Sequence, residues 1–264
     1  MYKIILLLAL FYNSTLKSSE FPKILGCFCE GGLIFGKVKS NDNLQINNKK
    51  MKIFEDGSFI YAFGIKHEKE IYIIFNGKQK IFEVKKKKYK IENISGLPSR
   101  KVEPNKKDLL KIKNDRQKIL VAKKMGKTKK LFEDHFLMPA KGRLSGVFGS
   151  QRILNKKPRS PHKGIDIAAP EGTEILSPSS GNVKLVANDM FFTGNTIIID
   201  HGLGLISIFA HLKDINVKLN QNIRKGQSIG SIGMTGRARG PHLHWGIYIE
   251  KIPVDPMVFI RNWF

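Results

Sequence analysis

Five of the seven histidines fall between His162 and His244, and an aspartate accompanies the first of them. In Pro161-His162-Lys163-Gly164-Ile165-Asp166, an imidazole and a carboxylate are separated by three residues. Gly164 lies between them and lets the chain bend so that both reach one metal. In Gly240-Pro241-His242-Leu243-His244-Trp245, two histidines alternate with apolar residues. Residues two apart in a strand share a face, so His242 and His244 project into one space while Leu243 and Trp245 face away. Two neighbouring imidazoles repel when protonated; a shared metal or a catalytic division of labour is the better account. His162, Asp166 and one histidine of the pair make three ligands of types that zinc accepts, leaving a fourth position for water as catalytic sites do. The nitrogen and oxygen donor set, with only two cysteines in the chain, makes Zn2+ the first choice. Each element alone is common, and a surface His/Asp pair most often bonds only itself. His211 closes the run Ile208-Phe209-Ala210 and, beside the other elements, is a second catalytic candidate. His201, in Asp200-His201-Gly202, reads as a structural turn residue.

The elements that must position these groups are mainly β. Thr196 to Asp200 and Leu205 to Ala210 read as buried strands, with Gly202 and Gly204 marking the turn between them. Further upstream, Cys27 to about Ile94 reads as a small antiparallel β-domain without a catalytic cluster. Asp56-Gly57 is set between 51–54 and 59–63, and Asn76-Gly77 between 71–75 and 81–84; both dipeptides favour tight hairpin turns. A basic stretch follows. Asn105 is a plausible N-cap, Leu109, Ile112, Ile119 and Leu120 recur at roughly helical spacing, and Gly126 offers a stop. The division expected is a leader at 1–19, a small β-domain at 20–96, a basic helical linker at 97–133 and a second, mainly β domain at 134–264.

Lys3 followed by the apolar run Ile4 to Tyr12 and a polar stretch resembles a secretory signal peptide, too short to span a bilayer. Cleavage and retention as a membrane anchor both stay open. Cys27 and Cys29 are two apart, a spacing that rarely closes a good disulfide in a strand, so two free thiols are expected. The net charge of +24 attracts polyanions, but a lysine-rich proteome explains it equally well. No recognisable nucleic-acid module accompanies the charge, so no nucleic-acid partner is expected.

An ordered series of motifs carries a family resemblance. It runs from Gly146-Val147-Phe148-Gly149-Ser150-Gln151-Arg152 through His162 to Asp166, Gly194-Asn195, Asp200-His201-Gly202, Ala210-His211-Leu212 and Lys225-Gly226-Gln227. It ends with Thr235-Gly236, Gly240-Pro241-His242-Leu243-His244 and Asp255-Pro256. Residues from about 136 to 257 resemble the lysostaphin/LytM-type zinc metallopeptidase domain, and the N-terminal part is more loosely similar to the β-domain of envelope-located members. The resemblance implies an antiparallel β peptidase domain in which His162, Asp166 and His244 bind zinc. It implies that His211 and His242 are catalytic, orienting or deprotonating the hydrolytic water. Asn195 and Arg152 would shape the groove or brace the backbone. The chain departs from the common pattern at Arg239, often Thr, and at Gly246, often acidic; neither removes a ligand.

The activity implied is zinc-dependent hydrolysis of peptide cross-links in bacterial peptidoglycan, by an exported, periplasmic or envelope-located enzyme acting on stem peptides. The alternative is a non-catalytic wall-binding activator of other hydrolases on the same scaffold, from which the intact ligand set distinguishes this chain.

Overall fold

The computed structural model describes residues 20–124, 129–132 and 135–260. The leader at 1–19, the helix stop at Gly126 and the boundary at 133/134 lie outside the described residues. Among the described residues no helix is long and apolar enough to cross a membrane.

The fold is mainly β, with largely antiparallel sheets. The N-terminal part holds β1 (Ile24–Gly26), β2 (Leu33–Lys37), β3 (Leu44–Ile46), β4 (Lys49–Lys50), β5 (Ser58–Ala62), β6 (Glu70–Phe75) and β7 (Lys78–Glu83). Next come β8 (Ile91–Ile94), α1 (Ser99–Val102) and α2 (Lys106–Lys124). The C-terminal part begins with β9 (Arg143–Gly146), β10 (Gln151–Leu154), β11 (Lys157–Pro158), β12 (Ile165–Ala168), β13 (Glu174–Leu176) and β14 (Gly181–Met190). It continues with β15 (Gly194–Asp200), β16 (Leu205–Ile215), β17 (Asn222–Ile223), β18 (Ser228–Ile232), β19 (His242–Ile249), β20 (Ile252–Val254) and α3 (Met257–Ile260).

The N-terminal strands form two small sheets, β1-β2-β5 and β4-β3-β6-β7, around Ile34, Phe59, Phe63, Ile71 and Ile73. The Asn76-Gly77 hairpin forms as the sequence expects. Phe75 pairs with Lys78, and Asn76 and Gly77 both take the positive φ of a tight hairpin turn. The other expected hairpin does not form. Residues 51–54 are not a strand, and β5 pairs instead with β2, Leu33 opposite Ala62. Asp56-Gly57 only tightens a local turn, in which Phe54 N donates to Ser58 O at 2.8 Å.

The cysteines also depart from expectation. Cys27 and Cys29 form a disulfide rather than two free thiols. The expectation assumed an extended strand. The chain instead leaves β1 at Gly26 and is not a strand across 27–28, and the two Cα atoms lie 5.3 Å apart.

Strand β8 does not join the N-terminal sheets. It pairs in parallel with β10, Glu92 opposite Arg152, so residues 91–94 are hydrogen-bonded to the C-terminal half. The main sheet runs β17-β14-β15-β16-β19-β12-β9. One face is packed into the main core. There Ile197, Ile199, Leu205, Phe209, Leu243, Trp245 and Ile247 meet Leu33, Ile60 and Ala62 from the N-terminal part. Ile198, Ile206, Ile208 and Tyr248 point to the opposite face, where Ala122 and Ile119 of α2 cover them. Helix α2 starts at Asn105 through a reciprocal cap. Asp108 N donates to Asn105 Oδ1 at 3.0 Å, and Asn105 N to Asp108 Oδ2 at 3.2 Å. Its inward face runs Asp108, Ile112, Asp115, Ile119 and Ala122; Leu109, expected on that face, is exposed.

His201 is fully buried at the β15–β16 turn, as a structural role requires. Its Nδ1–H donates to Ser180 O at 2.8 Å, and its Nε2 accepts from the Ser207 hydroxyl at 2.9 Å. Burial pushes its pKa down to about 4, although the Ser180 contact opposes the shift. Below about pH 6.5 the unfolded chain takes up a proton that folded His201 refuses, so stability falls on acidification until the folded pKa is reached. A loss of about 1–2 kcal/mol between pH 7 and pH 5 is expected from this residue. Urea unfolding at the two pH values should show that His201→Gln, though less stable at pH 7, loses less on acidification than the unaltered chain.

Candidate active site

The register of three strands assembles the site. Strand β19 lies between β12 and β16, and places His244 opposite both Asp166 and Ala210. His242 and His244 leave the sheet on the face away from the main core, while Leu243 and Trp245 are fully buried in it. His162 enters from the loop before β12. His162 Nε2, Asp166 Oδ1 and His244 Nδ1 converge. His162 Nε2 is 2.9 Å from His244 Nδ1 and 3.1 Å from Asp166 Oδ1, and His244 Nδ1 is 2.9 Å from that same oxygen.

This donor set fits a metal ion. Bonds of about 2.05 Å in a tetrahedron put ligand atoms about 3.3 Å apart, so a separation a few tenths wider than observed suffices. The His162 Nδ1 side faces Val147 O at 3.1 Å. With the N–H on Nδ1 turned to that carbonyl, Nε2 is left as a lone-pair donor; Arg152 Nη2, itself a donor, stands 3.2 Å from the same Nδ1. Burial alone would raise the Asp166 pKa, but the adjacent His162 and His244 rings outweigh it and hold the carboxyl ionised, well below its usual range. Burial lowers His244 to about 4 against the pull of Asp166, so its ring is neutral near pH 7.

Two glycines make room. A Cβ on Gly146 would stand 2.6 Å from Asp166 Oδ2. One on Gly164 would meet Trp245 O at 2.4 Å and the His244 ring at 2.9 Å. Gly164 therefore serves the close approach of the loop to β19, and its φ is not in the left-handed region that would make bending the reason for it.

His211 and His242 stand beside this trio, with ring centroids 4.7 Å apart. His211 lies where β16 shifts register against β15, at φ +66°, a conformation that costs a non-glycine residue energy and is concentrated at functional sites. Its backbone N–H donates to Thr193 O, and its Nδ1–H to Thr235 O, both at 2.8 Å. His242 Nδ1–H donates to Gly240 O at 2.8 Å. Each ring thus keeps an Nε2 lone pair free of those bonds. Burial, aided by neighbouring His242 and His244, lowers the His211 pKa to about 3. Their free Nε2 atoms, facing the trio's side of the cleft, are the positions from which a proton could be received and passed on.

Arg152 lies directly behind the trio. Its Nη2 donates to Asp166 Oδ2, and its Nε lies 3.4 Å from Glu92 Oε2 as an ion pair without a hydrogen bond. Arg152 also lines the cleft. Asn195 does not. Its side-chain Oδ1 accepts from Asp189 N at 3.1 Å and its Nδ2 donates to Lys213 O at 3.0 Å, so the amide braces the backbone around His211. Glu92 and Thr235 went unrecognised in the sequence as part of the site. Glu92 arrives through the parallel β8–β10 pairing, for which no local pattern exists. Thr235 orients His211 through its carbonyl, which any residue type supplies, while its hydroxyl accepts from Asn195 N and donates to Leu212 O, both at 2.9 Å.

Residues 160–256 match the family model for peptidase family M23. Peptidoglycan DD-endopeptidase ShyA of Vibrio cholerae is 37% identical over 119 residues, 45% of this chain and 27% of that protein. An uncharacterized metalloprotease of Buchnera aphidicola is 41% identical over 118 residues, 44% of this chain and 31% of that protein. This chain thus matches less than a third of the length of these curated relatives. A crystal structure of a peptidase M23 from Pseudomonas aeruginosa is similar over 89% of this chain and 96% of its own, with a TM-score of 0.66 and 28% identity.

The arrangement predicts a clean split in metal binding. His162→Ala, Asp166→Ala and His244→Ala should each abolish stoichiometric uptake of a divalent transition metal in calorimetric titration, whereas His211→Gln and His242→Gln should retain it. Arg152→Met should weaken affinity about 10–100-fold by removing the partner of the Asp166 oxygen. Loss of metal from His211→Gln would show that the division between ligands and free imidazoles is drawn wrongly.

Proposed function

We propose that this chain, which carries a LytM-type peptidase family M23 domain, is a zinc-dependent endopeptidase that hydrolyses peptide cross-links of bacterial peptidoglycan. One observation carries the reading: two histidines and an aspartate converge their donor atoms beside two imidazoles with free Nε2 atoms. His162, Asp166 and His244 would hold zinc. Bound there, the ion would supply Lewis acidity to the water and to the scissile carbonyl. His211 or His242 would accept a proton at Nε2 during attack and return it to the leaving amine, with the backbone carbonyls of Thr235 and Gly240 keeping the rings oriented. Arg152 would hold Asp166 in place through the carboxylate oxygen not turned to the metal.

The names of related proteins support a peptidoglycan substrate. Action outside the cytoplasm is supported by the basic and apolar start of the chain and by the Cys27–Cys29 disulfide, a bond that persists in oxidising compartments. The complete ligand set speaks against a purely activating, non-catalytic role.

Digestion of purified peptidoglycan by the full chain, read by mass spectrometry, tests the proposal. Uncross-linked muropeptides should appear with zinc and vanish with a chelator or with His162→Ala. His211→Gln and His242→Gln should each lower kcat about 10²–10⁴-fold while keeping their zinc. A zinc-loaded chain that leaves the wall intact, yet stimulates another hydrolase, would refute the peptidase assignment.

A further inference from the structure

The cleft is unevenly charged. Six basic side chains line it, against three carboxylates: Glu92, Glu103 and Asp166. All three carboxylates are engaged. Glu103 pairs with Lys157, Glu92 with Arg152, and Asp166 with Arg152 and the two ligand histidines.

Arg237 differs from the other guanidiniums. It lies in the loop joining β18 to β19, two residues after Thr235, whose carbonyl orients His211, and shortly before His242. Its backbone N–H donates to Phe192 O at 2.8 Å, and its guanidinium carbon sits 4.3 Å from the centre of the Phe192 ring. Stacking uses the flat face of the guanidinium and leaves its N–H edge for a planar acceptor. Among the described residues no carboxylate reaches that edge. Burial, followed by the charges of Arg152 and Arg159, depresses its pKa to about 10. A half-buried guanidinium with cationic neighbours and no counter-ion is costly, and an incoming anion relieves that cost.

We propose that Arg237 is a substrate-binding residue that holds a free carboxylate on the residue supplying the scissile nitrogen. The assignment follows from the loop. Thr235, whose carbonyl orients His211, and His242 bracket Arg237 along it, and the two imidazoles are the groups that would return a proton to the leaving amine, so Arg237 is assigned to the amine side. A bidentate guanidinium–carboxylate pair in this partly dry cleft also separates a carboxylate from its uncharged amide. The inference rests on the peptidase reading for its choice of ligand, and binding tests it separately from catalysis.

The test uses two synthetic cross-linked peptides, identical except that the amine-side residue ends in a free carboxylate or in a carboxamide. Calorimetry with the zinc-loaded full chain measures the affinity of each, and cleavage of both is followed in parallel. The carboxylate peptide should bind about tenfold or more tightly than the carboxamide. Arg237→Gln should bring the two affinities together, and Arg237→Lys, which keeps a point charge without the fork, should leave an intermediate ratio. Unchanged zinc stoichiometry and thermal midpoint would establish that the variants are folded. An Arg237→Gln variant with the unaltered ratio, or a parent chain that does not distinguish the peptides, would overturn the proposal. Binding discrimination that depends on Arg237 without cleavage of either peptide would uphold the subsite while refuting the peptidase reading.

Discussion

The register of β19 between β12 and β16 is the constraint on which the site depends. With Asp166 opposite His244, and His244 opposite Ala210, two of the proposed ligands and the approach to His211 are set by backbone hydrogen bonds before any metal contributes. A slip of one residue would turn His242 and His244 into the main core and expel Leu243 and Trp245, both fully buried, into the cleft. Burying a Trp and a Leu contributes several kcal/mol by area, at about 25 cal/mol per Å². The apolar half of the strand therefore enforces the position of the polar half.

Around that register, the site is held by groups with no reactive chemistry of their own. Backbone carbonyls of Val147, Thr235 and Gly240 each take one Nδ1–H, and so decide which nitrogen of His162, His211 and His242 is free. Gly146 and Gly164 leave space that a methyl group would fill. These contributions are invisible to side-chain identity at the accepting positions and visible only as glycines at the crowded ones. Hence the His and Asp motifs, whose chemistry is in the side chain and whose spacing is local, could be read directly. The strand alternation of 242–245 and the cap at Asn105 were legible for the same reason. Non-local pairings were not: β5 chose β2 over its sequence neighbour, and β8 left the N-terminal sheets for β10. Asn195 lies within a motif, but its amide is satisfied by backbone on both ends, a distinction that spacing cannot make.

The β8–β10 pairing also makes the two halves of the chain one piece of machinery. Asn155 exchanges side-chain hydrogen bonds with Leu97 N and O, and Arg159 donates to Val102 O at 2.9 Å. On the other side, Lys101 donates to Phe191 O at 2.7 Å, and Phe191 N donates to Asp115 of α2 at the same distance. Residues 97–102 thus tie the β10–β11 hairpin to the β14–β15 turn. Leu97, Val102, Glu103 and Pro104, from the segment expected as a linker, line one wall of the cleft.

That wall changes what the chain's charge means. A net +24 spread over exposed lysines says little about a ligand, because in physiological salt fields from solvent-exposed charges fade within about 8 Å. The outward lysines of α2 and β7 act mainly on solubility and on non-specific attraction. Charges in the cleft are less screened, and there the balance is set by particular pairings. Arg152 is neutralised by Asp166 and Glu92, whereas Arg237 meets an aromatic face and other cations. Among the cleft cations without a carboxylate partner in the described residues, Arg237 is the one stacked on an aromatic ring and half-buried, so the proposed selection of an anion falls to it and not to the total charge. On the proposed reading, adding or removing surface lysines would alter encounter with an anionic polymer far more than it would alter which substrate fits the cleft.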